Sequence, residues 1–338
     1  MNNKNVYFII LLCSLVNMYS CKKEQETLFN ITIPEHFPQI SQNFDQKTIT
    51  KEGFYLGRKL FYDGILSRDS SISCGSCHQQ GGAFSHIGHD VSHGIEDKLG
   101  KRNANPIQNL LWQSNYFWDG GVHNIELISL SPIENPVEMD ENINHIITKL
   151  NRHKEFPTLF KNAFGTTEIN SVKILNAIAQ FQATLISANS KYDQYLKGTS
   201  SLSTDELEGL NLFKEKCSSC HQGVLFSDFQ FRNNGINQNN TADLGRYNIT
   251  LNEADKGKFK TPSLRNIEKS GPYMHNGSFR TLEAVLEHYN SGIQPNPSLA
   301  PELKNKIPMT AEQQRKIIIF LKTLTDNEFL NKKDFSEQ

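Results

Sequence analysis

Apolar residues recur at helical spacing in two widely separated parts of the chain. They are Ile174, Ile178, Phe181 and Leu185 in the first part, and Ile317, Phe320, Leu321 and Leu324 in the second. Spacings of three and four residues place such side chains on one face of a helix. Few stretches alternate apolar and polar residues for long, so we expect strands to be minor and the fold to be mainly α-helical.

Two further helix starts are marked by polar residues. Ser203 with Glu206 and Thr310 with Gln313 each have the spacing of a capping box, in which the first side chain and the third residue after it satisfy each other's backbone N–H groups. The spacing predicts one helix before the second cysteine pair described below and another at the end of the chain.

The same short segments occur twice, which indicates an internal repeat. "GRKLF" (57–61) and "GLNLF" (209–213) each precede a cysteine pair, and "FQATL" (181–185) and "FLKTL" (320–324) close the two halves. The chain is long enough for two domains. We therefore predict one domain over 51–195 and another over 196–330, joined near the Gly-, Ser- and Thr-rich "YLKGTSSLST".

The N-terminus is different from the rest. Lys4 precedes the apolar run "VYFIILLCSLVNM", which is too short to span a bilayer comfortably. We interpret residues 1–21 as a signal or lipoprotein segment, with Cys21 as the candidate lipidation site and simple signal cleavage as the alternative. Residues 22–50 are then expected to be a polar tether, and the protein to be exported to the periplasm or cell envelope.

Composition adds little. The 338 residues include 35 basic and 36 acidic ones, for a net charge of −1, and no long run of one sign. This charge balance does not indicate the basic surface that nucleic-acid-binding proteins usually have.

The strongest chemical signal is a motif that occurs twice. Cys74-x-x-Cys77-His78 and Cys217-x-x-Cys220-His221 share the pattern Cys-x-x-Cys-His. A zinc site usually places its two cysteine pairs about 12–20 residues apart, and a thioredoxin-like pair needs a βαβ setting and no histidine. Covalent c-type haem explains every member, because the thiols form thioethers with the porphyrin and the histidine binds iron. We expect one haem c in each half.

Several polar residues between the motifs could support catalysis at an iron with an open coordination position. "FSHIGHDVSHG" contains His86, His89 and His93, "NYFWDGG" contains Trp118, and "ENPVEMDE" contains Glu138. Taken alone, a loop acid such as Glu138 is more often a solvated residue than a catalytic one, and a lone Trp or His is more often part of a core.

These segments in this order resemble the bacterial diheme cytochrome c peroxidases and the MauG-like diheme enzymes, over about Gly53 to Leu324. The resemblance is carried by "SCGSCH", "SHGIEDKLGKRN", "FWDGG", "PVEMDE", "KCSSCH", "KTPSLRN", "GPYMHNGSFRTLE" and "EHYNSG". It implies two cytochrome c-like domains in tandem, each with a covalently bound c-type haem.

The resemblance also implies roles at the first haem. Glu138 matches the acid that moves a proton between the peroxide oxygens, and His93 matches the histidine that caps the peroxidatic iron until the second haem is reduced. Trp118 matches the tryptophan between the two haems. A shift in alignment would make His89 the capping ligand. Ile128 departs from the pattern, because peroxidase relatives often have glutamine there.

At the second haem the resemblance leaves two candidates for the sixth iron ligand. Tyr289 stands where the best-known peroxidases have methionine and where MauG-like enzymes have tyrosine, while Met274 lies nearby in "PYMHNG". Methionine raises the iron potential, whereas a tyrosinate favours the oxidised state. We favour Tyr289.

The implied function is reduction of hydrogen peroxide to water with electrons from a small cytochrome c or similar donor. The alternatives are a MauG-like oxidase acting on another substrate and a diheme electron carrier without catalysis. The family pattern further implies one calcium ion at Asn103 with the carbonyls of Ser270 and Pro272, and a homodimer.

Overall fold

A computed structural model of the chain describes residues 31–41, 44, 49–236 and 243–338. Residues 1–30 are outside this range, so the predicted signal segment and Cys21 are outside the described residues. None of the described helices is long and apolar enough to cross a membrane.

The described residues are mainly helical, as predicted. Two antiparallel strands of two residues each, β1 and β2, are paired as Phe231 with Lys260 and Arg232 with Phe259. The helices are α1 (Lys51–Tyr62), α2 (Cys74–Cys77), α3 (Leu130–Glu134), α4 (Ile143–Arg152), α5 (Phe156–Phe164), α6 (Ser171–Ala183), α7 (Lys191–Leu196), α8 (Thr204–Lys216), α9 (Tyr247–Thr250), α10 (Leu282–Glu287), α11 (Ala311–Lys322) and α12 (Asn327–Asn331), and the strands are β1 (Phe231–Arg232) and β2 (Phe259–Lys260).

In the first half, α1 packs against α6. The crossing is close at Gly57, where a Cβ atom would lie 1.9 Å from the carbonyl oxygen of Ala177. No side chain fits at that distance, so glycine at this position allows the two backbones to touch. The rings of Phe61 and Phe181 pack beside the crossing, with their centroids 5.1 Å apart.

In the second half, α8 packs against α11 in the same way. A Cβ atom on Gly209 would lie 2.1 Å from the carbonyl oxygen of Lys316. The rings of Phe213 and Phe320 have centroids 5.2 Å apart, matching the first pair. Both predicted capping boxes are present, Ser203 with Glu206 at α8 and Thr310 with Gln313 at α11. The internal repeat therefore has a structural counterpart, while the division into two domains stays a prediction.

A second repeated unit lies in the loops and was not recognised from the sequence. The backbone of Tyr116 pairs with Val122, and that of Tyr273 pairs with Phe279, in both cases through an N–H···O bond of 2.7 Å. Each tyrosine hydroxyl also donates to the carbonyl six residues before it. This correspondence places Trp118 and His275 at equivalent positions, each two residues after its tyrosine.

Both ends of the described chain cover the first half. Phe37, Phe44 and Ile49 are buried in the same core as Phe181. Part of the segment 22–50, which was predicted to be a polar tether, is therefore packed against the protein. Its few aromatic and β-branched residues fill apolar gaps in the first half, and the sequence alone does not reveal those gaps. Phe335, near the C-terminus, belongs to that core too.

A buried ion pair joins distant segments. The Arg265 guanidinium donates to both carboxylate oxygens of Asp193 at 2.7 and 2.8 Å, and both side chains are inaccessible to solvent. His36 and Ser190 also contact this carboxylate, at 2.8 and 2.6 Å. The pair therefore connects the N-terminal segment, α7 and the second half of the chain.

Candidate active site with two cysteine and histidine motifs

The first motif forms a single helical turn. Ser73 caps α2, and its side chain and that of Ser76 bond reciprocally to each other's backbone N–H groups. The turn places Cys74 and Cys77 one helical turn apart, both half-buried and both free of disulfides. Burial raises the pKa of the Cys74 thiol to about 12, so the thiol is neutral at pH 7.

His78 is held in one orientation by the backbone. Its Nδ1 lies 2.7 Å from the carbonyl oxygen of Phe84, which can only accept a hydrogen bond, so Nδ1 carries the proton. The other ring nitrogen, Nε2, then keeps its lone pair and is available to a metal. Burial lowers the pKa of His78, which favours this neutral form.

The second motif repeats this arrangement. His221 Nδ1 lies 2.9 Å from the carbonyl oxygen of Phe226, and burial again lowers the pKa of the imidazole. In both motifs the backbone N–H of the histidine also donates to the backbone carbonyl of the first cysteine, at 2.8 Å for His78 and 3.0 Å for His221. The two halves thus prepare the same donor set.

Each motif faces its own cavity. Cys74, Cys77 and His78 line a cavity of about 1440 Å³. Cys217, Cys220 and His221 line a narrower and mainly apolar cavity of about 210 Å³. The second cavity is small, so haem binding there is inferred from the two cysteines and the histidine and not from the volume of the cavity.

That donor set suits a covalently held haem in both places. Each motif brings together two cysteine thiols without a disulfide and a neutral imidazole with a free Nε2, which is the donor set that c-type haem requires. Among the described residues, no group of three or more His, Cys, Asp or Glu side chains is arranged to hold a bare metal ion.

Glu138 lies on the wall of the first cavity. Its Oε1 accepts a hydrogen bond from the Ser92 hydroxyl at 3.0 Å. Burial raises the pKa of the carboxyl group, and the bond from Ser92 opposes that rise. Gly94 fixes the neighbouring backbone, because a Cβ atom there would lie 2.5 Å from Cα of Glu138. A buried carboxyl group that is held in place in this way can accept and return a proton.

His93 lines the same cavity, and it contacts a second histidine. Its Nε2 lies 3.1 Å from Nδ1 of His89, which is exposed, and the His89 ring stacks on that of His86 with centroids 4.1 Å apart. For His93 to bind iron through Nε2, its contact with His89 must break. His86 is buried, in agreement with its interpretation as a core residue.

Trp118 lies between the two cavities and lines both. Its indole N–H donates to the carbonyl oxygen of Asn103 at 2.9 Å, and its backbone carbonyl accepts a hydrogen bond from the backbone N–H of Lys260 at 2.7 Å. His275 also lines both cavities and stacks on Phe259 with ring centroids 3.6 Å apart. The wall that the two cavities share therefore includes two aromatic rings, Trp118 and His275, and Trp118 is fixed by hydrogen bonds at both its indole and its backbone.

Comparison with known proteins identifies the family. A family model described as di-haem cytochrome c peroxidase matches residues 51–201. The chain is 34% identical over 296 residues to the methylamine utilization protein MauG of Methylorubrum extorquens, covering 86% of this chain and 82% of that protein. The chain belongs to the di-haem cytochrome c peroxidase and MauG family.

Other relatives agree with this assignment. The chain is 36% identical to cytochrome c551 peroxidase of Nitrosomonas europaea, over 81% of this chain and 80% of that protein. The crystal structure of a MauG-like protein associated with microbial copper homeostasis matches with a TM-score of 0.82 and 31% identity, over 91% of this chain and 99% of that chain. The recognition made from the sequence motifs is confirmed, and so is the mainly helical fold. Because the relatives include both peroxidases and MauG proteins, membership alone does not choose between these activities.

In this family member both candidate ligands of the second site line the second cavity with His221. Burial raises the pKa of Tyr289 to about 12, so the hydroxyl keeps its proton unless a metal displaces it. The Met274 sulfur accepts a hydrogen bond from Asn234 Nδ2 at 3.4 Å. The choice between Tyr289 and Met274 stays a prediction.

Asn103 connects several backbone segments. Its side-chain amide donates to the carbonyls of His89 and Asp90, at 3.3 and 3.2 Å. Asn103, Ser270 and Pro272, the residues predicted to bind calcium, all line the second cavity. Calcium binding there stays a prediction.

Ile128, the departure from the peroxidase pattern, lines the first cavity and is 7% exposed. An apolar side chain at this point cannot hydrogen-bond a ligand. Whatever polar assistance the first cavity gives must come from other side chains, and the Glu138 and Ser92 pair is one such source.

Sequence reasoning missed Ser92, Asn234, His275 and Lys260, which all lie on the cavity walls. The repeat of Tyr116 and Tyr273 could have indicated His275 as the counterpart of Trp118. The other three had no such signal, because their partners lie far away in the sequence.

Proposed function

We propose that this protein is a diheme cytochrome c peroxidase that reduces hydrogen peroxide to water. It has two cytochrome c-like domains in tandem, each with a covalently bound haem c. Cys74, Cys77 and His78 hold the haem of the peroxidatic site, and Cys217, Cys220 and His221 hold that of the electron-transfer site. The haems supply iron that accepts, stores and donates single electrons.

One observation carries the proposal: a partly buried carboxyl group, Glu138, lies on the wall of the cavity that His78 faces. Cleavage of the O–O bond requires one proton to move from one oxygen to the other. Glu138 takes up that proton and returns it, and Ser92 orients the carboxyl group through its hydroxyl. Burial raises the pKa of Glu138 above the ordinary value of a carboxyl group, which makes the group a better proton acceptor than a solvated glutamate.

The second site receives electrons from a small cytochrome c or a similar protein. Trp118 lies on the shared wall and fills the gap between the two cavities with an aromatic ring. His93 acts as the gate of the peroxidatic site, and the open form is the one in which His93 bonds to His89.

The proposal is tested by the steady-state oxidation of reduced cytochrome c by peroxide, with and without prior reduction of the enzyme. Glu138→Gln keeps the size of the side chain and removes its ability to exchange protons. We expect its kcat to fall by about 10²- to 10⁴-fold with haem content unchanged. Glu134→Gln, four residues earlier and exposed, is the matched control and should keep wild-type turnover. No turnover by the wild-type enzyme in either state would refute the proposal.

A MauG-like oxidase that acts on another substrate is the second candidate. It is favoured by the position of Tyr289 in the second cavity. Low-temperature spectra of Tyr289→Phe test it, because an unchanged second-haem spectrum would remove its basis. A diheme electron carrier, the third candidate, predicts that Glu138→Gln changes no reaction with peroxide.

The remaining parts of the proposal concern the cellular setting. We infer export to the periplasm or cell envelope, with a lipid anchor at Cys21, a homodimer, and one calcium ion at Asn103. Mass analysis of the mature N-terminus, light scattering and calcium titration of the holoprotein test these in turn.

A further inference from the structure

Lys260 is a buried lysine on the wall that the two cavities share. The residue is 4% exposed and lines both cavities. It lies in β2, where its backbone is fixed by pairing with Phe231 and by a hydrogen bond of 2.7 Å to the carbonyl oxygen of Trp118. The side chain therefore starts from a fixed point between the two sites.

The hydrogen-bond acceptors of the Lys260 amino group are uncharged. Its Nζ donates to Gln113 Oε1 at 2.7 Å and to the backbone carbonyl of Asn115 at 2.8 Å. Asp119 attracts the amino group electrostatically, but the Asp119 carboxylate is bound to the Arg102 guanidinium at 2.5 Å. Fully buried lysines are usually paired with an acid. The hydrogen-bond partners of Lys260 therefore do not cancel its charge.

Burial beside neutral partners makes the charged form of Lys260 costly. It lowers the pKa of the amino group to about 7, and the charge of Asp119 opposes part of that shift. The amino group therefore gains or loses its proton near neutral pH, whereas a solvated lysine titrates at about pH 10.

The other titratable groups on the surrounding elements keep their charge near pH 7. Burial lowers the pKa of His275 to about 4 and raises that of Tyr116, so both side chains are neutral. Burial opposes ionisation of Asp243, but the bonds from Arg102 keep the pKa of this carboxyl group below its usual range. The remaining charges belong to guanidinium groups and to the carboxylates bound to them: Arg102 with Asp119, Arg232 with Asp228, and Arg246. Among these groups, only Lys260 changes its charge near neutral pH.

A positive charge on this wall favours the addition of an electron at either site. The wall is poorly hydrated, so a charge there is screened less than it would be in water. Burial and net charge around a redox centre are among the features that set its reduction potential. Protonated Lys260 should therefore raise the reduction potential of an iron bound in either cavity.

We propose that Lys260 tunes the reduction potentials of both haems and couples the uptake of an electron to the uptake of a proton. One electron passes from the external donor to a haem iron, and in part of the molecules one proton from solvent binds to Nζ of Lys260. Reoxidation of the iron releases that proton. The inference rests on the proposed function for the presence of two haems, and not on the reaction with peroxide.

The test is redox titration of both haems in purified holoprotein without peroxide, from about pH 5.5 to about pH 8.5, on either side of the pKa of Lys260. Lys260→Arg keeps a positive charge over this whole range, and Lys260→Met removes the charge with little change in length. As the pH rises, we expect the wild-type potentials to fall more steeply than those of either variant. The gap between wild type and Lys260→Met should close, while the gap to Lys260→Arg should open.

Lys258→Met is the matched control. Lys258 is two residues from Lys260 and forms an ion pair with Asp255 at 3.2 Å, away from the residues that line the two cavities. This control should keep the wild-type dependence on pH, and loss of that dependence here would overturn the assignment to Lys260. A wild-type slope in both Lys260 variants would overturn the inference, as would a gap between wild type and Lys260→Met that is the same at every pH. If one Lys260 variant does not fold, the slope of the other decides, since each fixes the charge.

These titrations also separate this inference from the proposed function. An inactive enzyme with the expected potentials would refute only the peroxidase proposal, and a chain without haem absorbance would refute the haem assignment itself.

Discussion

At the scale of single residues, the two histidines of the motifs are oriented in the same way. In both, Nδ1 is engaged by the carbonyl oxygen of a phenylalanine with positive φ, 61° at Phe84 and 52° at Phe226. Such a φ is uncommon for a bulky residue and requires support from its surroundings. Phe84 and Phe226 are both buried, so packing supplies that support.

Ser92 gives a prediction about pH. Its hydroxyl stabilises the ionised form of Glu138, so Ser92→Ala should raise the pKa of this carboxyl group further. Glu138 must be ionised to accept a proton. When the pH is lowered, Ser92→Ala should therefore lose activity at a higher pH than the wild-type enzyme does. A hydrogen bond to a charged group is worth about 1.5–3 kcal/mol, which corresponds to a shift of the acid limb by about one to two pH units.

The measurement for Ser92→Ala is kcat/KM for peroxide against pH. Ser131→Ala, which lines the same cavity without bonding to Glu138, should leave the profile in place. An acid limb that does not move, or moves to lower pH, in Ser92→Ala would show that Glu138 is not the titrating group.

The local sequence defined part of the site and missed the rest for a physical reason. Cys74, Cys77 and His78 lie within five consecutive residues, so a haem-attachment motif can be predicted from their spacing alone. Ser92 and Glu138 are far apart in the chain, and so are Asn234 and Met274. Their contacts depend on how the loops fold, and a serine or asparagine in a loop carries no mark of such a partner.

At the scale of secondary-structure elements, the two glycine crossings lead to a stability prediction. Alanine is the better helix former by about 1 kcal/mol, so Gly→Ala in an exposed helix would stabilise it. At Gly57 and Gly209 the new methyl group would meet backbone at 1.9 and 2.1 Å, and the helices would have to move apart. We expect each substitution to lower the free energy of unfolding by about 1–3 kcal/mol.

Chemical denaturation of the holoprotein measures this effect. Gly81→Ala is the control, because the nearest atom to its Cβ would be at 3.8 Å, an ordinary contact. Wild-type stability in both Gly57→Ala and Gly209→Ala would mean that the helix pairs do not cross as described.

The helices were predictable where pattern and capping agreed. The apolar spacing in α6 and α11 and the capping boxes of α8 and α11 are all visible in sequence. The loop unit around Tyr116 and Tyr273 was not, because its hydrogen bonds all end on backbone carbonyls and its two copies share only "Y" and "G" in sequence. The packing of Phe37 was missed for another reason: a single aromatic residue in a polar segment forms no periodic apolar pattern that would predict its burial.

At the scale of the whole molecule, the Asp193 and Arg265 pair connects segments that are distant in sequence. Removal of one partner leaves the other charge buried and alone, so Asp193→Asn should destabilise the protein by about 3–5 kcal/mol. Asp205→Asn removes a surface partner of Arg315 and should cost about 1 kcal/mol or less. Urea titration of both variants at pH 7 makes the comparison, and equal effects would contradict it.

The same pair predicts a dependence of stability on pH. The Arg265 guanidinium keeps the pKa of Asp193 below its usual range in the folded protein. A depressed folded pKa gives stability that is present above the unfolded pKa, about 3.9, and is lost as the pH falls through the folded value. The difference between wild type and Asp193→Asn should therefore narrow below about pH 4. A difference that stays constant into that range would contradict the assignment.

The central claim is that both halves carry a haem bonded through their cysteine pair, and intact-mass spectrometry of the chain matured in a periplasm that attaches haem c tests it most directly. We predict a mass two haems above that of the polypeptide. Replacement of Cys74 and Cys77 by alanine should remove one haem, and replacement of Cys217 and Cys220 should remove the other. A mass equal to that of the bare polypeptide would contradict the account.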